Sequence, residues 1–136
     1  MILAKTSIIT LDYNPATDIL QADYPDLISF QIPEIKRSLT IMVEAIRNYD
    51  VKKLLLDASK ATIEVSNEEN TAVAMQLAAD LVNTRLQKVA RIQPVDNNRE
   101  IKAQENINQI KQAGLLPYQL QTFTHKSDAM AWLMGR

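Results

Sequence analysis

Apolar residues along this chain repeat with two different periods, and segments of the two kinds alternate. Short runs rich in Ile, Leu, Val and Thr are typical of strands, and they cover residues 6–13, 19–24, 51–57, 88–95 and 118–123. Segments in which apolar residues recur every three or four positions are typical of helices, and they cover residues 33–49, 67–85, 97–113 and 127–134. The predicted order of elements is therefore β-β-α-β-α-β-α-β-α.

Strands that alternate with helices form a mostly parallel sheet with right-handed crossovers. The run of residues 51–57 is apolar without alternation until it ends at Asp57, as expected of a strand that is buried on both faces of such a sheet. No linker, repeat or low-complexity stretch interrupts the pattern. Residues 1–136 are therefore predicted to form a single α/β domain with a mixed, mostly parallel sheet of about five strands.

The composition removes most common catalytic chemistries. The 136 residues include no cysteine, one histidine, His125, and two glycines, Gly114 and Gly135. Thiol chemistry, thiolate zinc sites and histidine pairs are excluded, and the glycines are too far apart for a phosphate-binding loop. An enzyme would need His125, Asp57 or Asp96 to converge in one cleft. We therefore expect a protein that is not an enzyme and has no cofactor or metal ion.

The charge and hydropathy patterns limit the partners of the protein. The formal net charge is −1 at pH 7, so the chain lacks the basic field that nucleic-acid-binding domains carry. No apolar stretch approaches the ~18 residues of a membrane span, and residues 1–5 do not begin a signal peptide. We therefore expect a cytoplasmic protein that binds no nucleic acid and does not span a membrane.

Polar residues cluster where the predicted parallel strands end. Because ligands of open α/β sheets bind outside the carboxyl ends of the strands, this edge is a candidate binding site. One interpretation is a polar pocket or a magnesium site built from Asp57 and Asp96. The other, which we favour, is that these residues only cap loops and helices. The residues of the edge are Asp57, Ser59, Asp96, Asn97 and Asn98.

The order of elements and three local motifs resemble the STAS domain, a family that includes anti-sigma-factor antagonists. The motifs are residues 48–50 (Asn-Tyr-Asp), residues 53–59 (Lys-Leu-Leu-Leu-Asp-Ala-Ser), and a tail with Phe123, Ala129, Trp132 and Leu133. The resemblance is to the small stand-alone bacterial members of this fold, which is called SpoIIAA-like. It implies a regulatory or protein-interaction module with a protein partner.

Ser66 has two interpretations. With Glu69 three residues later, it has the spacing of a capping box at the start of a helix. The resemblance implies a phosphosite, because STAS antagonists are phosphorylated on a serine here, within an Asp-Ser-Ser/Thr-Gly motif. In this chain Val65, Asn67 and Glu68 stand at the other three positions, and Glu68 and Glu69 would repel a phosphate. We therefore expect a helix cap.

Two functions follow from these observations. The first is the regulatory, partner-binding module that the resemblance implies. The alternative is a small-ligand or lipid-binding protein with an apolar pocket between the sheet and the helices. A homodimer is left open, because Phe30, Ile32, Ile41 and Val43 are candidates for an exposed apolar patch.

Overall fold

The structure is a computed structural model that describes residues 1–6, 8–24, 27–28, 32–60, 63–94, 97–112 and 116–135. Of residues 27, 28, 63, 67, 97–99 and 102 only the backbone is described. The strands in these ranges are β1 (Ile2–Lys5), β2 (Thr10–Asn14), β3 (Ile19–Asp23), β4 (Leu27–Ile28), β5 (Lys53–Asp57), β6 (Ile63–Glu64), β7 (Lys88–Ile92) and β8 (Gln119–Phe123). The helices are α1 (Ile32–Asn48), α2 (Asn67–Val82), α3 (Asn97–Gln112) and α4 (Lys126–Leu133).

Six of the described strands form one mixed sheet in the order β1-β2-β3-β5-β7-β8. β1, β2 and β3 pair antiparallel, and β3, β5, β7 and β8 pair parallel. The predicted α/β class and the mixed sheet are therefore confirmed. The prediction of about five strands is one strand short for this sheet.

The additional strand arises because the run predicted as one strand at residues 6–13 begins with a turn. The Thr6 hydroxyl oxygen accepts hydrogen bonds from the backbone N–H groups of Ile8 at 3.1 Å and Ile9 at 3.0 Å. The Thr6 N–H also donates to the Ile9 carbonyl oxygen at 2.8 Å. These bonds turn the chain, so that β1 and β2 form an antiparallel pair.

The connection predicted between Pro25 and Ile32 contains β4, which pairs in parallel with β6. In this second sheet Leu27 lies opposite Ile63, and Ile28 lies opposite Glu64. Two residues are too few to show the alternation by which a strand is recognised in a sequence.

Helices cover the main sheet on both faces. On one face, α1 and α2 pack over Leu54 and Leu56 of β5. On the other face, α4 packs over Leu55 of β5 and Ala90 of β7. All three leucines are buried, which confirms the predicted burial of this strand on both sides.

The predicted apolar patch is wrong at Val43, which is only 4% exposed. Ile32 and Ile41 are half-buried against the same core, and Phe30 lies outside the described residues. Val43 is covered because α1 packs against α2 as well as against the sheet, and therefore buries more than one stripe of its surface. In the described part of the chain, no helix has both the length and the apolar character needed to cross a membrane.

Candidate ligand cavity

A cavity of about 130 Å³ lies between the sheet and the helices α2 and α3. Strand register places Leu56 of β5 level with Arg91 of β7, and Val89 of β7 level with Leu120 of β8. These four side chains line the cavity. The sheet therefore supplies one wall, and α2 and α3 supply the other.

Small side chains on the two helices leave this space open. Ala74 and Ala78 of α2 and Ala103 of α3 line the cavity, where larger side chains would fill it. Protein interiors otherwise contain few voids larger than a water molecule. An engineered apolar cavity of about 150 Å³ stays dry and binds benzene, so this cavity can hold roughly six to eight non-hydrogen atoms.

Three polar side chains on the cavity wall make no side-chain hydrogen bond within the described part of the chain, namely Tyr24, Asn70 and Tyr118. Asn70 is 8% exposed and Tyr118 is 7% exposed. Every fully enclosed side-chain nitrogen or oxygen in the described ranges does have a partner. The polar atoms of these three residues are therefore not fully enclosed by protein, and all three residues line the cavity. They are available to a ligand.

A buried ion pair lies at the same wall. The Arg91 Nη2 atom is 2.7 Å from Glu100 Oε1, and Arg91 Nη1 is 3.2 Å from Glu100 Oε2. The two side chains are only 11% and 13% exposed. Gln104 donates to Glu100 Oε2 at 2.8 Å, and Thr122 accepts from Arg91 Nη1 at 3.4 Å. This bidentate pair fixes the guanidinium group and balances its charge beside the cavity.

The two tyrosines of the cavity are protonated at neutral pH. Burial raises the pKa of Tyr24 to about 12, although the positive charge of Arg91 opposes this shift. Burial also raises the pKa of Tyr118 to about 12. Both hydroxyl groups can therefore donate a hydrogen bond to a ligand, and the arrangement is suited to binding.

Ser66 lies at the exposed N-terminus of α2 and forms the predicted capping box. Its Oγ atom accepts a hydrogen bond from the Glu69 N–H at 3.1 Å, and the Ser66 N–H donates to Glu69 Oε1 at 3.4 Å. The cap is therefore confirmed. The phosphosite that the resemblance implies stays a prediction.

Asp57 and Ser59 form a local turn and do not line the cavity. Asp57 Oδ1 accepts hydrogen bonds from the Ser59 N–H at 2.9 Å and from the Ser59 hydroxyl at 2.6 Å. Strand alternation places Asp57 on the face of Leu55, which α4 covers, whereas the cavity lies on the face of Leu56. These hydrogen bonds fit the interpretation that Asp57 and Ser59 cap a loop.

The other predicted site residues are either outside the described part of the chain or away from the cavity. Asp96 lies outside the described residues, and α3 begins at Asn97, with the side chains of Asn97 and Asn98 also outside the description. The magnesium interpretation, which would need Asp96, is not tested by the described residues. Among the described residues no three His, Asp or Glu side chains form a group that could hold a metal ion. His125 is the exposed N-cap residue of α4.

The sequence interpretation missed Tyr24, Asn70 and Arg91 as site residues. Arg91 carried a usable signal, because it interrupts a strand that is otherwise apolar, and a charged residue is rarely buried unless it is paired. Its partner Glu100 lies on α3, so only the tertiary structure reveals the pair.

Comparison with protein-family models, with curated proteins and with solved structures finds no match to this chain. The fold and the site therefore define its class by themselves. The chain is an α/β protein with a partly open apolar cavity between a mixed sheet and two of its helices.

Proposed function

We propose that this protein binds a small, mainly apolar molecule in the cavity between the sheet and the helices α2 and α3. The observation that carries the proposal is the cavity itself, whose walls are mainly apolar and include the polar side chains of Tyr24 and Asn70. This corresponds to the ligand-binding alternative of the sequence analysis. A concave apolar site with a few polar groups is the usual form of a small-molecule site.

Occupation of the cavity is energetically favourable. A ligand there gains dispersion contacts with the surrounding apolar side chains, such as Leu77 and Ile107. A molecule that binds the folded state and not the unfolded chain shifts the equilibrium towards the folded state. Binding should therefore stabilise the protein.

Benzene is a suitable first probe, because its size matches the cavity. We expect a titration followed by backbone amide NMR to shift signals of α2, α3, β5 and β7, and to leave α4 unchanged. The expected dissociation constant is on the order of 1 mM, which corresponds to ~−4 kcal/mol. Unchanged spectra at saturating benzene would overturn the proposed function.

Two alanines of α2 provide a matched pair of variants. Ala74 lines the cavity, whereas Ala79 is exposed and lines a separate recess that Met75 and Leu116 also line. Ala74→Leu should fold, because the cavity has room for the added carbon atoms, and it should weaken benzene binding at least tenfold. Ala79→Leu should leave the affinity unchanged. The opposite pattern would assign binding to the separate recess.

The SpoIIAA-like fold and the regulatory role in the cytoplasm are a separate proposal, and it rests on the sequence resemblance. It predicts a protein partner near Ser66, at the exposed start of α2. Repeated co-purification from native lysate should then recover one protein. Recovery of none would count against the regulatory role and would leave the ligand-binding proposal intact.

A further inference from the structure

The cavity has a polar end at the carboxyl edge of the parallel strands. Tyr24 follows β3, and its N–H donates to the Asp57 carbonyl oxygen at 2.7 Å, so Tyr24 lies just beyond the end of β5. Asn70 lies in the first turn of α2. Arg91 precedes the last residue of β7, and its charge acts on the pKa of Tyr24, which indicates that the two groups are close.

The opposite end and the middle of the cavity are mainly apolar. Leu81 lies near the end of α2, and Ile110 lies near the end of α3. Val89 stands near the start of β7. Tyr118 precedes β8 and therefore lies at the amino edge of the sheet, away from Tyr24. A bound molecule would thus meet its main polar contacts at one end.

The polar end offers mostly hydrogen-bond donors. The Tyr24 hydroxyl is protonated and has no protein partner among the described residues. A guanidinium group has five N–H donors, and Glu100 and Thr122 occupy three of those of Arg91, which leaves two within the described part of the chain. The Asn70 amide adds further donors and one acceptor. A ligand group with an accepting oxygen complements this end.

The charge at the polar end is already balanced. Glu100 pairs with Arg91 through two hydrogen bonds, so the pair presents no net positive charge to the cavity. A carboxylate entering this space would lose its hydration without gaining a free counter-ion among the described side chains of the cavity wall, which is costly in an apolar surrounding. A neutral oxygen loses much less.

From this arrangement, and building on the proposed function, we infer that the ligand is a neutral, amphipathic molecule. Its body is a ring or a branched hydrocarbon that fills the space between Leu77, Val89 and Ile107. Its single polar group is a hydroxyl or carbonyl oxygen that accepts hydrogen bonds from Tyr24 and Asn70.

Ethylbenzene and benzyl alcohol provide the test, because they have nearly the same shape and differ by a methyl and a hydroxyl group. Tyr24→Phe removes a hydroxyl that has no partner within the described residues, so the variant should fold normally. Isothermal titration calorimetry should show benzyl alcohol binding weakened about fivefold, the effect of one lost hydrogen bond. Ethylbenzene binding should be unchanged.

Tyr49→Phe is the matched control, because it removes a phenol hydroxyl from an exposed tyrosine that does not line the cavity. It should leave the affinities for both compounds unchanged. Benzoate should bind the wild-type protein at least tenfold more weakly than benzyl alcohol. Benzoate binding that is tighter than benzyl alcohol binding would overturn the neutral-ligand inference.

The outcomes separate the inference from the function on which it rests. If neither ethylbenzene nor benzyl alcohol binds the wild-type protein, both the proposed function and the inference fail. If ethylbenzene binds and Tyr24→Phe does not change the affinity for benzyl alcohol, the polar-end inference alone fails.

Discussion

The hydroxyl group of Ser66 is engaged as both acceptor and donor at the start of α2. It accepts from the Glu69 N–H at 3.1 Å, and it lies within donating distance of Glu69 Oε1 at 3.2 Å. A phosphate on Ser66 would lose the donor proton and would face the carboxylates of Glu68 and Glu69. Capping therefore accounts for the residue without a modification.

Replacing Ser66 by Ala should lower the free energy of unfolding by about 1 kcal/mol, because the Glu69 N–H loses its acceptor. Ser66→Asp should retain most of the stability, since Asp is also a good N-cap residue. Urea denaturation of the variants measures both effects. Ser127→Ala, in the first turn of α4, serves as control and should change stability by less than about 0.5 kcal/mol.

At the scale of residues, a motif formed by neighbouring positions could be predicted from the sequence. A site assembled from distant segments could not. The capping box depends on Ser66 and Glu69 alone, three positions apart, so the sequence shows it directly. Tyr24, Asn70 and Arg91 come from a strand end, a helix and a different strand. Only the packing of α2 over the sheet brings them to one cavity. The periodic pattern of apolar residues in the sequence gives no indication of this packing.

Helix α3 is attached to the rest of the molecule by polar contacts as well as by apolar packing. Glu100 binds Arg91 of β7, Gln104 donates to Thr122 of β8, and Asn106 accepts from Thr71 of α2. Its buried apolar side chains among the described residues are Ile107 and Ile110, whereas Ile101 is 59% exposed. Because α3 also forms a wall of the cavity, the ion pair with Arg91 helps to define the shape of the site.

The pair of Arg91 and Glu100 should therefore couple α3 to the sheet. Arg91→Met or Glu100→Gln alone should each lower the free energy of unfolding by about 3 kcal/mol, because each leaves a buried charge unpaired. The double variant should lose clearly less than the sum. Urea denaturation of all four proteins measures the coupling, and additivity within about 0.5 kcal/mol would contradict it.

At the scale of elements, length decided what could be predicted. The four helices extend over several turns, and all four were predicted from their periodic apolar positions. β4 and β6 have two residues each and depend on pairing with one another across the chain. β1 was not predicted, and β2 was merged with the turn before it, because Ile8 and Ile9 of that turn are as apolar as a strand.

At the scale of the whole molecule, the two faces of the sheet are filled differently. Under α4, Trp132 packs against Phe123 with ring centroids 5.6 Å apart, and Lys88 Nζ lies 5.0 Å from the Trp132 ring centroid. Under α2 and α3, alanines such as Ala74 stand where large side chains would close the space. The face under α4 is thus closed by a small aromatic cluster, whereas the opposite face contains both the larger hydrophobic core and the cavity.

The buried tyrosines make the stability of the whole molecule depend on pH in the alkaline range. The pKa of Tyr24 and of Tyr118 is about 12 in the folded protein, above the ordinary value of 10.0. Below pH 10 both states keep the phenol protons, so the stability contribution is fully present. Between pH 10 and pH 12 only the unfolded chain loses protons, so the free energy of unfolding falls as the pH rises.

The expected loss is about 1.4 kcal/mol for each of these two tyrosines near pH 11, and it should appear in urea denaturation at pH 9, 10 and 11. Lysines titrate in the same range, and a hydrogen bond to Asp18 together with burial raises the pKa of Tyr13 to about 12. The wild-type protein is therefore compared with the double variant Tyr24→Phe/Tyr118→Phe, which retains those groups. The variant should lose less stability between pH 9 and pH 11, because its two phenylalanines cannot ionise in the unfolded chain. Equal losses in the two proteins would contradict the raised pKa values of Tyr24 and Tyr118 in the folded protein.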